Sequence, residues 1–421
     1  MTYNTSFCSS LANRINELAG FMQIKDVIPS VKVVDNGIIL PRKQLGGISH
    51  NVKIPYQGLG GVVDKDGKLV KESIIYDLKI ERDVDRIAFG GAYSVSNPVE
   101  SEETAIYLGL AHRHWGHFLI DIVQRCWYPM VKGLLAKQTG NEAPYFDGNE
   151  LTEDYVYVFS GFGDSSTEFT GNYKEFFRLL GLDCSKMFFA NNPVLYKRVL
   201  VPDVAVHPGE YITTAYKTLF DIVIHNAMAE AVSLGLNTAE QIYFSREHLK
   251  DTKDMGENHI EKLMIQCGYK VLYPEELTLV EQIFCWQTAK EIACINGTIP
   301  HNCVFAHESL RLYVFNKMEL MVGYQFTMDM VQGITPIYVE AYNEPFKRYP
   351  LSVSRGPFWI SATENVRRFV SEQYGISTKA DVSGIGDWIN YLVRCGIAES
   401  KYQLRGNKAK IKNMLRKIGK I

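Results

Sequence analysis

The stretch KVLYPEELTLVEQIFCWQTAKEIACI, residues 270–295, decides the fold class. KVLYP is a short β-favouring run that stops at a proline, and EIACI is a second apolar run of strand length. Between them, residues 277–289 carry Leu279, Ile283 and Trp286 at helical spacing. A strand, a helix and a strand in that order cannot be closed by a hairpin turn. The two strands therefore run parallel, with the helix laid over the sheet.

The same alternation extends in both directions. A helix over 211–234 leads to the strand QIYFSR (241–246), and a helix over 258–267 leads to KVLYP. After EIACI come a short helix from Pro300, the strand RLYVFN (311–316), a helix over 319–331 and the strand PIYVEAY (336–342). This pattern predicts a parallel sheet covered on both faces, a Rossmann-like domain over 206–345. Pro202, Pro208 and Gly209 mark a seam before it. Residues 1–205 read as a first α/β domain. Its strands are VKVVDNGIIL (31–40), AIYLGLA (105–111), DYVYVFSGF (154–162) and KRVLVPD (197–203), with a helix over 173–180. A hairpin is expected to turn at Asp66-Gly67. Residues 346–421 read as a helical segment that becomes basic. From Lys401 onward the chain has eight Lys or Arg and no acid, and Ile411, Met414, Leu415 and Ile418 share one helical face.

Bulk properties narrow the function. At 421 residues and 46% apolar, the chain can bury a large core, or two. A formal net charge of -2 argues against general nucleic-acid binding. No apolar run is long enough to span a bilayer, and the first twenty residues lack the basic and apolar regions of a signal peptide. The eight cysteines include no C-x-x-C pair, so they read as reduced thiols of a cytoplasmic protein rather than a disulfide frame or zinc ribbon.

Two stretches concentrate chemistry. AHRHWGHFLIDIVQRCW (111–127) sets His112, His114, His117, Asp121 and Arg125 at the start of an expected amphipathic helix running to about Lys137. His117, Asp121 and Arg125 are each four apart, on one face. The other is EIACINGTIPHNCVFA (291–306), where a buried strand ends in the tight turn Asn296-Gly297-Thr298 and a helix begins. Such a turn presents backbone N–H groups to an anion at the carboxyl edge of the sheet, where open α/β folds bind ligands. At the same edge, Arg246 closes a strand as a fixed cation, and Glu281 opens a helix where a carboxylate could meet a ribose hydroxyl. Simple helix N-terminal charge is the alternative for Glu281. Asp83-Val84-Asp85 has the D-x-D form of a metal site but sits in a charged segment and reads as a solvated turn.

In order, HWGHFLIDIVQR, IYFSR and GYKVLYPEELTLVEQIFCWQTAKEIACINGTIPHNCVFA resemble the motifs of glycosyltransferase family 61 over about 110–310. The resemblance implies a GT-B-like architecture of two Rossmann-like domains facing a cleft, with the C-terminal helices packing back. It implies an inverting transfer from a nucleotide-sugar donor, usually UDP-linked in that family, with no metal and no cofactor. By motif, Arg246, Gly297, Thr298, His301 and Asn302 would surround the diphosphate, with Asn296 in the turn and Glu281 at the nucleoside. Where many members read P-H-G-A, this chain has Ile295-Asn296-Gly297-Thr298, and its histidine follows at His301.

An inverting transfer needs a base. Asp121 is assigned that role, with His117 orienting it or the acceptor; the reverse assignment is the alternative. His112, His114 and Arg125 would line the acceptor side. The expected acceptor is a glycan or lipid-linked glycan of a surface polysaccharide, reached from the inner face of the cell membrane, with Lys408–Ile421 touching anionic lipid. A metal-dependent hydrolase using His112, His114, His117 and Asp121 is one rival reading, and a non-catalytic nucleotide-sugar binder another.

Overall fold

A computed structural model describes residues 2–19, 22–45, 55–79, 85–112, 114–130, 155–161, 168–249, 254–321, 323–346, 348–350, 352, 355–378 and 385–417, with side chains described as far as 404. The chain is mixed α/β and divides into two compact units. One is Phe21–Glu230, and the other joins Met1–Gly20 to Ala231–Ile421. The division differs from the expected break after residue 205, and the first twenty residues belong with the C-terminal part. The reason is apolar burial, since Phe7 packs into the core of the parallel-sheet unit together with Tyr243, Phe315 and Phe369.

The Phe21–Glu230 unit holds a six-stranded mixed sheet of β1 (Val31–Lys43), β2 (Leu59–Val63), β3 (Val99–Leu110), β4 (Tyr155–Ser160), β5 (Met187–Ala190) and β6 (Val194–Pro202). Its order is β2-β1-β6-β3-β4-β5. β1 pairs antiparallel with β2 and β6, whereas β3, β4, β5 and β6 pair in parallel wherever they are neighbours. The turn expected at Asp66-Gly67 is present: Gly67 donates to the Asp64 carbonyl at 2.9 Å and takes φ +77°, a conformation that favours glycine. Helix α1 (Asn172–Leu180) buries Phe176 and Phe177, and α2 (Thr214–Ser233) runs across the division between the units.

In the second unit, β7 (Gln241–Phe244), α3 (Glu257–Gln266), β8 (Lys270–Leu272), α4 (Leu279–Thr288), β9 (Glu291–Ile295), β10 (Arg311–Asn316), α5 (Tyr324–Gln332) and β11 (Ile337–Glu340) follow in sequence. The sheet is five-stranded and parallel throughout, in the order β8-β7-β9-β10-β11. The chain moves outward from β7 to β8 and then crosses to the other side of β7 for β9. That reversal is a topological switch point, and it places the ends of β7 and β9 side by side. The strands are buried nearly throughout because helices cover both faces, which is why they read as continuous apolar runs. Two helices close the chain, α6 (Glu364–Tyr374) and α7 (Ile385–Lys417). No helix among the described residues is long and apolar enough to cross a membrane.

Candidate active site

The first cluster begins where β3 ends. Gly109, at φ +103°, sits at an irregularity in the pairing of β3 with β4. The chain then turns into Trp115–His117 as α-helix, Phe118–Ile122 as a π-turn and Val123–Arg125 as 3-10 helix. The regular helix expected here is thus interrupted at Asp121. The Val123 N–H bonds the Phe118 carbonyl across the widened turn. Tyr216 donates to the Leu119 carbonyl at 2.6 Å and the Gln124 side chain donates to the Asp121 carbonyl at 2.8 Å, so the carbonyls that the wide turn leaves over are satisfied. Phe118 is locked by the rings of Phe169, Tyr173, Phe176 and Phe177.

On this base His117 and Asp121 meet. His117 Nδ1 is 2.9 Å from Asp121 Oδ2, and Gln57 Nε2 donates to the same oxygen at 3.3 Å. Asp121 is buried, with 2% of its surface exposed, whereas the His117 side chain keeps 27%. Burial acts to lower the His117 pKa, but the hydrogen bond and charge of Asp121 outweigh it and the net shift is upward. His112 stacks on His117 with centroids 4.6 Å apart, and burial together with His117 pushes it down to about 4. His114 is exposed, lies edge-on to His117 at 5.3 Å and is also shifted downward, by burial first. One titratable imidazole therefore leans on a carboxylate while its neighbours stay neutral. His117 is the more exposed member of the pair, the geometry of the alternative assignment in which it, and not Asp121, is the base.

Arg125 lies in the interior. It is fully buried, with Nε bonding the Pro202 carbonyl at 3.0 Å and Nη2 bonding the carbonyls of Glu72 and Ile74 at 2.7 and 2.8 Å. A Cβ at position 109 would lie 3.2 Å from Nη1, so glycine leaves room for the guanidinium. Arg125 ties the segment at 72–74 to the end of β6. The histidines do not form a metal cage. Among the described residues, the ligand atoms of His112, His114, His117 and Asp121 do not converge on a point. A group that does converge is Asp85, His207 and Glu210, but Lys79 Nζ is already 3.1 Å from a carboxylate oxygen of both acids. The D-x-D partner Asp83 lies outside the described residues.

The second cluster occupies the switch point of the parallel sheet. Arg246 follows β7, Gly297 follows β9 and Lys317 follows β10. A Cβ added at Gly297 would meet Arg246 Nη1 at 3.3 Å and Lys317 Nζ at 4.0 Å, so both cations flank this glycine. Buried Asp254 holds them in place, 2.7 Å from Arg246 Nη1 and 3.2 Å from Lys317 Nζ. Beside it, Glu257 accepts from the Arg246 backbone N–H and the Tyr243 hydroxyl. Burial, and then the Asp254 charge, push its pKa up to about 8. Two basic side chains thus face one buried carboxylate at the switch point, with burial acting to lower the Lys317 pKa.

The other predicted residues divide. Thr298 is partly exposed at the turn, but Asn296 is buried and its side chain donates to Asn316 Oδ1 at 3.0 Å, tying β9 to β10. His301 and Asn302 are each 5% exposed, on the short helix expected from Pro300, which is a seven-residue 3-10 helix, Ile299–Phe305. A helix that short has little macrodipole, so attraction for an anion rests on Arg246 and Lys317. Glu281 forms a capping box with Thr278: its carboxylate accepts from the Thr278 backbone and hydroxyl at 2.8 Å, while Thr278 Oγ1 accepts from Glu281 N. Glu281 thus serves the helix terminus, as its alternative reading expected.

Residues 115–313 match the family model described as Glycosyltransferase 61. That span, a little under half of the chain, resembles glycosyltransferase family 61. No curated protein matches the chain. The match starts at Trp115 and ends at Tyr313, so it includes the His117–Asp121 pair, Arg246 and Gly297. The family 61 match disfavours the hydrolase reading. Lys317 and Asp254 were missed in the sequence. Lys317 had a signal, since it follows RLYVFN as Arg246 follows QIYFS. Asp254 had none, because only folding brings it between the two cations.

Proposed function

We propose that this glycosyltransferase takes its sugar from a nucleoside-diphosphate donor held at the β7/β9 switch point, and that His117 deprotonates the acceptor. The observation that carries the reading is the flanking of Gly297 by Arg246 and Lys317. A glycine there lets a diphosphate approach the backbone, and two positioned cations compensate the charge that grows on it as it leaves. On the acceptor side, Asp121 accepts from His117 Nδ1–H, which makes Nε2 the basic nitrogen. In one displacement, the acceptor O–H proton passes to Nε2 and the acceptor oxygen bonds the anomeric carbon. The bond to the diphosphate oxygen breaks with its electron pair staying on the diphosphate, and the configuration inverts. Fixed cations supply the charge that a divalent metal would otherwise provide.

The parallel sheet with ligand groups at its switch point supports the donor half of a GT-B-like arrangement. The resemblance supports a UDP-linked donor and, as acceptor, a glycan or lipid-linked glycan of a surface polysaccharide, reached from the cytoplasm. A thermal-shift screen against nucleotide sugars tests the reading, because a ligand that binds only the native state raises its apparent stability. One or more nucleoside-diphosphate sugars should raise the melting temperature, and added EDTA should not abolish the shift. Stabilisation by a divalent ion alone, with none by any nucleotide sugar, would overturn it.

A further inference from the structure

α7 has two apolar faces where a helix packed on a soluble body needs only one. Tyr391 and Cys395 are buried against Tyr349 and Trp359, and the Tyr349 hydroxyl bonds Glu399 at 2.6 Å. That side anchors the helix. Elsewhere around its circumference Ile389, Leu392, Val393 and Ile397 are each 50–56% exposed, and Leu404 reaches 63%. With Ile385 they make a ridge of large aliphatic side chains of the kind that marks an interaction surface. Past Leu404 the backbone stays helical to Lys417, and the sequence keeps the spacing, since Ile397, Leu404, Ile411 and Ile418 recur at seven-residue intervals. The side chains beyond 404, including those of the expected Lys408–Ile421 contact, lie outside the described residues.

We propose that the Ile385–Leu404 ridge seats the protein on an anionic lipid surface. The charge of the segment selects this occupant. From Lys401 on there are eight basic residues and no acid, so a second copy laid parallel along the ridge would set two cationic stretches against each other, whereas anionic headgroups would neutralise them. The inference is independent of the donor-site reading, because vesicle binding requires no turnover.

The test uses the full chain and sedimentation with phosphatidylcholine vesicles containing about one-third phosphatidylglycerol. Binding should be at least about tenfold tighter than to phosphatidylcholine alone and should weaken with added salt. The combined substitution Ile389→Ser, Val393→Ser and Ile397→Ser should reduce binding by about tenfold or more, because it removes much of the buried apolar area. Its melting temperature should stay that of the parent, since these side chains are exposed. A monomer that ignores the anionic vesicles would overturn the proposal. So would binding undiminished in the triple variant, which would assign it to charge alone. A dimer dissociated by the triple variant would instead give the ridge to a second copy.

Discussion

Around His117 the chain sets a partly exposed imidazole on a buried carboxylate, whereas around Gly297 a buried carboxylate fixes two basic side chains. Under the proposed function, the difference follows from two chemical tasks. A base must be able to take up a proton and lose it again, so His117 is partly exposed and rests on the buried Asp121. A leaving-group site must hold charge throughout, so Arg246 and Lys317 are fixed by a buried carboxylate, with Glu257 kept neutral beside it. One cluster is built around a shared proton and the other around unshared charge.

Removing the imidazole should have the largest effect. His117→Ala should lower kcat by roughly 10²–10⁴-fold, the usual contribution of a positioned base, and leave donor affinity near that of the parent. Steady-state kinetics with a donor found by the screen would show it. A variant with parental kcat would remove His117 from the chemistry and break the comparison on that side.

Asp121→Asn should lower kcat by less, on the order of 10²-fold, and its diagnostic effect is on pH dependence. The base works unprotonated, so activity rises with pH through the His117 pKa, which Asp121 raises. Without the carboxylate charge that pKa falls, and the acid limb of kcat should move to lower pH. An unmoved limb would show that another group sets it, while a simple packing defect would lower the rate without shifting the profile.

On the donor side, Arg246→Ala and Lys317→Ala should each weaken nucleoside-diphosphate binding by about 10- to 100-fold, the worth of one charge-assisted hydrogen bond. Binding of the nucleoside without phosphates should hardly change. This pair sharpens the comparison, because its effect should appear in donor KM more than in the pH profile. Equal losses for nucleoside and diphosphate would mean that the substitutions had disturbed the fold of the sheet edge.

How legible each cluster was follows the same division. Every strand of the parallel sheet could be located in the sequence, because burial on both faces leaves each as an unbroken apolar run between helical periods. From those strands the carboxyl edge, with Arg246 and Gly297, could be placed. Lys317 and Asp254 join it only because β10 neighbours β9 and the chain before α3 folds over the strand ends. Around His117 the four-residue spacing correctly foretold contact with Asp121. Which of the two is reachable depends on tertiary burial, as does the fate of Arg125, whose three carbonyl partners come from two distant segments. The π-turn was unreadable because its extra carbonyls are satisfied by Tyr216 and Gln124, one of them far along the chain. The docking of the first twenty residues on the second unit has no local signal either.

The smallest expected effect concerns Glu281, and it separates two readings of a single carboxylate. The pattern Thr278-x-x-Glu281 before an apolar run is a capping-box signature, and both of its reciprocal bonds are present. Gln can fill the same position, since its side-chain carbonyl accepts from the Thr278 N–H as a carboxylate does. Glu281→Gln should therefore cost under about 1 kcal/mol, mostly lost helix-dipole attraction, and leave donor KM within about threefold of the parent. Thr278→Ala, which removes one half of the box, should cost about 1 kcal/mol in stability, again with little change in KM. If Glu281→Gln raised donor KM by tenfold while melting stayed parental, the carboxylate would be reading the nucleoside. The donor site would then extend from the β7/β9 edge to the start of α4, with a hydrogen-bonding acid added to its two cations.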